Sequence, residues 1–346
     1  MKHAEPQVTL NGVPGSPYTR KMLSLMRYRR IPYKLLLVSH VTSDSGLDLP
    51  KARVSLLPTY YFPDENGVVQ AVTDSTPILR RLERDFPERK ARPSDPALAF
   101  IDALLEDYGD EWLTKAMFHY RWAYADDIAK ASAILPAWTQ GRNENDKLKA
   151  LGKQIADRQI PRLRYVGSNE TTGPIIEASY MRFLDIMEAH LQQHAFMLGE
   201  RPGAGDFAAF GQLTQLAQFD PTPTTLTAAR APRVYAWVSA MEDLCGLEPK
   251  ESDWLDVAAL PITTKALLTE VGRVYAPLLL ANAKALQEGQ QQLEMQIDGK
   301  PWVMQPFTYQ GKCLAWLREE YAALDAKARA RVDAALKGTG CEAILA

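Results

Sequence analysis

The stretch QVTLNGVPGSPYTRKMLSLM, residues 7–26, decides how the chain is read. From Gln7 to Val13 apolar and polar residues alternate, the period of a half-buried strand, and Pro14-Gly15 closes that strand with a turn. Pro17 follows Ser16 directly. Met22, Leu23, Leu25 and Met26 then recur at helical spacing, so a helix opens here with proline in its first turn. Ser16 therefore stands at a helix N-terminus.

Working outward, Ile31-Pro32 breaks the helix and Tyr33 to Val38 is an apolar run of strand length. A polar stretch holding Asp44, Gly46, Asp48 and Pro50 has no regular period. Leu57-Pro58 leads into a third strand from Thr59 to Phe62, and Pro63-Asp64-Glu65-Asn66-Gly67 has the composition of a hairpin turn. Val68 to Val72 returns antiparallel, and Asp74-Ser75-Thr76-Pro77 starts a helix carrying Ile78, Leu79 and Leu82. The unit reads β-α-β-x-β-β-α.

Phe86 to Pro96, with prolines among charges, forms a linker. From Ala97 to about Leu247 the apolar spacing is three to four, as in Ile101, Leu104, Leu105 and Tyr108, which predicts a helical half. A proline-broken segment, Leu247 to Pro261, then precedes a helical stretch from Thr264 to Gln292. Alternation from Leu293 to Met304 around Asp298-Gly299 predicts a short hairpin, and one amphipathic helix follows from Gly311 to about Leu336. The domains expected are 1–90, 97–250 and a mostly helical extension, 251–346, with no role legible.

A chain of 346 residues exceeds what one core usually serves, which fits two domains and an appendage. Its net charge is −2 with scattered basic residues, so it lacks the footprint of a nucleic-acid binder. The densest basic run, Arg27, Arg29 and Arg30, falls at the expected end of the first helix, where cations complement the dipole. No stretch reaches the roughly 18 apolar residues of a membrane span, and the first residues carry no apolar leader core, so a cytoplasmic protein is expected. Cys245, Cys313 and Cys341 stand far apart, in no disulfide or zinc pattern. His190 and His194 have i, i+4 metal-ligand spacing, but no third ligand accompanies them, and no metal is expected.

The run Ser16-Pro17-Tyr18-Thr19-Arg20-Lys21 resembles the active-site opening of glutathione transferases and glutaredoxins. Leu57-Pro58 before the third strand and Asp74-Ser75 before the last helix match the transferase pattern in the same order. Pro202 to Phe207 resembles the helix start buried in that family's helical domain, with Gly203 where Ser or Thr is usual. The resemblance to cytosolic glutathione transferases covers roughly residues 7–250. It implies a thioredoxin-like α/β N-terminal domain, an all-α C-terminal domain and a homodimer.

It also implies site roles. Ser16 would stabilise the thiolate of glutathione as co-substrate, with Tyr18 or Thr19 as alternative donors and a plain helix cap as the structural alternative. Leu57, ahead of a cis Pro58, would pair with the cysteinyl backbone. Ser75 would bind the γ-glutamyl carboxylate, and Asp74 would face the α-amino group or shape the loop. A small apolar electrophile would lie between the domains, against Trp112, Met117, Phe118, Tyr120, Trp122 or Tyr124. No permanently bound cofactor is implied. Reductive thiol exchange is disfavoured, because a hydroxyl at position 16 cannot form a mixed disulfide. The rival reading is a non-catalytic binding or scaffolding protein on the same fold.

Overall fold

A computed structural model describes residues 8–37 and 48–345. The N-terminal unit runs β1 (Val8–Asn11), α1 (Pro17–Tyr28), β2 (Tyr33–Leu36), β3 (Thr59–Pro63), β4 (Val69–Val72) and α2 (Ser75–Asp85). Gln7, Val38, Asp44 and Gly46 lie outside the described residues. The sheet order is β2-β1-β3-β4, with β1 parallel to β2 and antiparallel to β3, and β3 antiparallel to β4. Val8 and Leu10 point inward, as the period of two requires, and Leu10 faces Tyr60 of β3. Gly67 closes the β3–β4 hairpin at φ 77°, a conformation a side chain would resist.

The helical part comprises α3 (Pro96–Tyr108), α4 (Thr114–Ala123), α5 (Ala125–Gln140), α6 (Asn145–Gln159), α7 (Gly173–His190), α8 (Ala204–Leu216), α9 (Pro221–Arg230) and α10 (Pro232–Met241). A five-residue π-helix, Gly109–Leu113, joins α3 to α4, and a 3-10 helix, Ile160–Val166, follows α6. α8 is buried along its whole length and packs on α1 across Gly211, where a Cβ would come within 2.5 Å of the Pro17 carbonyl oxygen. The two halves share one continuous apolar core.

The departure at Gly203 has a physical compensation. Asp102 of α3 inserts its carboxylate at the start of α8 and accepts from Ala204 N (3.1 Å) and Gly205 N (3.0 Å). A Cβ at Gly203 would meet that carboxylate at 2.3 Å, so the cap is supplied from another helix and the residue beneath it must be small. Asp206 accepts from Gly203 N at 2.9 Å, the reciprocal half of a capping box.

The arginine run behaves differently from the expectation of simple dipole partners. α1 ends at Tyr28, and Arg29 is buried against Glu83 at 3.2 Å and bonds Phe86 O. Arg27 pairs with Glu242 at 2.5 Å, and Arg30 with Glu248. These cations clamp the linker and the end of the helical half onto α1.

The extension contains α11 (Ile262–Glu270), α12 (Ala276–Gln287), β5 (Leu293–Ile297), β6 (Lys300–Met304), α13 (Thr308–Ala322) and α14 (Ala326–Leu336). The hairpin lies where alternation predicts it. The expected single last helix is instead two, because Asp325 starts a new one by accepting from Ala328 N at 2.7 Å. The stretch from Thr264 is likewise split, by a π-helix at Val271–Tyr275, and stops before Gly289 at φ 65°. The extension packs back on α3. Arg331 pairs with Asp95 at 2.5 Å, and Tyr275 donates to Asp107 at 2.6 Å.

Candidate active site

Ser16 is the N-cap of α1, at φ −94° and ψ 117°. Its hydroxyl accepts from Thr19 N at 3.3 Å and donates to Leu57 O at 3.3 Å, both long for such bonds. The Leu57–Pro58 peptide is cis. Ser16, Leu57 and Pro58 border a cleft of about 590 Å³ between the sheet unit, the helical half and the extension.

The loop before Ser16 is held from the helical half. Arg121 of α4 donates to Gly15 O at 3.0 Å, while Asp220 grips its guanidinium at 3.0 and 2.9 Å. Gln215 of α8 donates to Pro14 O at 3.2 Å. Nothing local in the sequence marks Arg121 or Gln215, since their partners lie about a hundred residues away or more.

The other two hydroxyls at the helix start are occupied or turned away. Tyr18 lines the cleft but donates to Asp110 O at 2.8 Å, and burial beside Glu111 and Asp110 raises its pKa well above the phenol range. Thr19 is fully buried. Its Oγ1 has no partner among the described residues and faces Gly12, where a Cβ would lie 2.9 Å from it.

Asp74 and Ser75 open α2 at one end of the cleft. Asp74 holds φ 85°, unusual for a residue with a side chain, and accepts from Thr76 N at 3.3 Å and from Tyr309 Oη at 2.8 Å. Burial raises its pKa, with the Tyr309 bond opposing. Ser75 is buried, its hydroxyl 3.4 Å from Lys21 Nζ. Lys21 is fully buried and pairs with Glu106 at 2.8 Å and Asp110 at 2.5 Å. Burial works against ionised Glu106, but Arg80 and Lys21 outweigh it and hold the carboxyl at about 2. Asp110 is pushed up to about 6 by burial, which Lys21 only partly offsets. Glu111, which also borders the cleft, is raised well above its usual range by burial and by Asp107.

The opposite end is apolar. Met117, Phe118 and Trp122 of α4 form part of its wall, Leu135, Trp138 and Ile155 of the α5–α6 pair add to it, and Arg158, Gln159 and Arg162 bring polar groups to its margin. α5 comes so close to the Ser16 loop that a Cβ at Gly15 would lie 2.4 Å from Leu135 Cδ2 and 2.7 Å from Trp138 Cζ3. Trp112 and Tyr120, expected as wall residues, are core instead. Trp112 donates to Ser179 Oγ at 2.8 Å and packs tilted against Trp302, and Tyr120 lies between Tyr124 and Tyr180. Tyr124 bonds Glu177 and does not border the cleft. A helical apolar period marks a covered face without saying what covers it.

His190 bonds Thr263 Oγ1 and Phe196 O, each at 2.8 Å, and His194 meets Glu200 at 3.3 Å. Among the described residues no group of three or more His, Cys, Asp or Glu could hold a metal. No described helix is long and apolar enough to cross a membrane.

A family model described as glutathione S-transferase, N-terminal domain, matches residues 10–90, and one described as glutathione S-transferase, C-terminal domain, matches residues 144–240. Neither reaches the extension. No curated protein matches the chain. Among solved structures, a glutathione transferase family member from Pseudomonas fluorescens, with two glutathione bound, is 16% identical with a TM-score of 0.42. That match covers 69% of this chain and 90% of the other. A glutathione S-transferase from Methylobacterium radiotolerans, in complex with glutathione sulfonate, is 20% identical at TM-score 0.38, covering 72% and 94%. The beta-etherase LigF from Sphingobium sp. is 16% identical at TM-score 0.47, covering 68% and 94%.

Proposed function

The chain belongs to the glutathione S-transferase superfamily, and from that premise we propose that it is an enzyme that activates the glutathione thiol at Ser16 and adds the sulfur to a small apolar electrophile. The observation that carries this reading is the Ser16 hydroxyl at the cap of α1, on the border between the polar and apolar ends of the cleft.

A free thiol has a pKa of about 8.5, so a useful fraction of thiolate at neutral pH needs a stabilised anion. The hydroxyl supplies a donor and the first turn of α1 a positive dipole end, and both favour the anion. A hydrogen bond to an ionised partner is worth roughly 1.5–3 kcal/mol, or about one to two pKa units. To donate to sulfur, the hydroxyl leaves Leu57 O, a bond already long at 3.3 Å. The freed carbonyl then accepts the cysteinyl N–H of the tripeptide. Asp74 receives the α-amino group, and Ser75, at the positive end of the α2 dipole, receives the γ-glutamyl carboxylate. The thiolate forms a C–S bond with the electrophile lying against Leu135, Trp138 and Phe118, and the displaced electron pair leaves with the departing group or takes up a proton.

Glutathione thus enters as co-substrate. The reading extends to a cytosolic homodimer, which sedimentation of the purified chain would measure. The decisive experiment follows thiolate absorbance of bound glutathione against pH. Ser16→Ala is expected to raise the apparent thiol pKa by about one to two units. An unchanged titration moves the donor role away from Ser16, and failure of the native protein to bind glutathione leaves the scaffolding reading.

A further inference from the structure

We propose that Tyr309, carried by the C-terminal extension, completes the glutathione site by orienting the Asp74 carboxylate toward the α-amino group of the γ-glutamyl residue. The inference rests on the glutathione reading above. It adds a positioning residue from a part of the chain that neither family model reaches.

Tyr309 and Asp74 stand 235 positions apart, yet both border the cleft, and the phenol donates to Asp74 Oδ2 at 2.8 Å. Asp74 Oδ1 accepts from Thr76 N at 3.3 Å. The carboxylate is thereby held at both oxygens, and each retains a lone pair for an ammonium group. A phenol suits this task better than a cation would. It fixes the carboxylate without cancelling the negative charge that an α-amino group requires.

Tyr309 is itself rigidly presented. Its ring meets Trp316 edge-on at 6.2 Å and 89°. The backbone at Phe307 is pinned in both directions by the buried Asn282, which donates to Phe307 O at 3.0 Å and accepts from Phe307 N at 2.7 Å. Further along α13, Glu320 bonds Arg92 and lies 3.8 Å from Arg80. Burial and the neighbouring Asp74 keep the phenol protonated. The ligand class selected is a thiol peptide with a free α-amino group at its γ-glutamyl end.

The test measures affinity by calorimetry for glutathione and for the analogue with a glutaryl group in place of the γ-glutamyl residue, which lacks only the α-amino group. Both are titrated into the full-length native protein and into Tyr309→Phe. The variant is expected to bind glutathione about tenfold more weakly and to bind the glutaryl analogue as the native protein does. An equal loss for both ligands reduces Tyr309 to a packing role and overturns the proposal, as does no loss for either. A native protein that binds neither ligand overturns the glutathione reading and this one together, whereas one that binds glutathione while Tyr309→Phe is silent overturns this one alone.

Discussion

The two ends of the cleft are built on opposite physical plans. At the polar end, Lys21 ties Ser75, Glu106 and Asp110 into a buried cluster, and Thr76, whose amide donates to Asp74 and whose hydroxyl lies 3.4 Å from Asp110, links it to the half-buried Asp74–Tyr309 pair. At the apolar end, half-buried Leu135, Trp138 and Ile155 present surface with few polar atoms, on helices that share a small core of Trp122, Ala131, Ala156 and Phe219. A hydrogen-bonding site rejects a ligand that lacks the matching groups by large factors, whereas an apolar wall discriminates by only about 1–3 kcal/mol per methylene. The difference suits one invariant partner and one variable partner meeting at Ser16.

The contrast is most severely tested at Lys21. Lys21→Met would leave Glu106 and Asp110 buried with less compensation, and a loss of about 3–5 kcal/mol in urea unfolding is expected. A loss under about 1 kcal/mol would mean that the polar end is not the rigid one. At the other end, Trp138→Ala is expected to raise KM for an apolar electrophile about tenfold while leaving glutathione affinity unchanged. A parallel loss of glutathione affinity would merge the two ends into one.

A third test concerns the layer behind the polar end. Burial pushes Asp107 up to about 7, with the Tyr275 hydrogen bond opposing. Its folded pKa exceeds its ordinary value of 3.8, so the stability it contributes is complete below that value and is lost as pH rises through about 7. The stability of Asp107→Asn relative to the native protein should therefore increase between pH 5 and pH 7, as read from urea midpoints at each pH. The opposite trend would show Asp107 ionised in the fold.

The N-terminal unit was largely legible because its signals are local. Alternation marks β1, Pro58 marks the entry to β3, Asn66-Gly67 marks the turn, and Ser16 and Asp74 cap helices through bonds to amides two or three residues on. The extension yielded its hairpin for the same reason. The single last helix that the apolar period predicts is two, because Asp325 caps a new helix inside a period that continues on both sides. The aromatic segment in the helical half was only half readable: Phe118 and Trp122 border the cleft, while Trp112 and Tyr120 are packed behind it.

Period, turn composition and capping chemistry act over a few residues, and they specify the strands of the N-terminal sheet, the starts of α1 and α2 and the hydroxyl at position 16. Which partner each face or charge meets depends on elements folded together from far apart. Asp102 caps a helix a hundred residues away, Arg121 holds the loop at Gly15, and Tyr309 reaches Asp74 from the extension. A hydrogen bond needs its partner within about 3 Å, and only packing of the whole chain brings such distant groups to that distance.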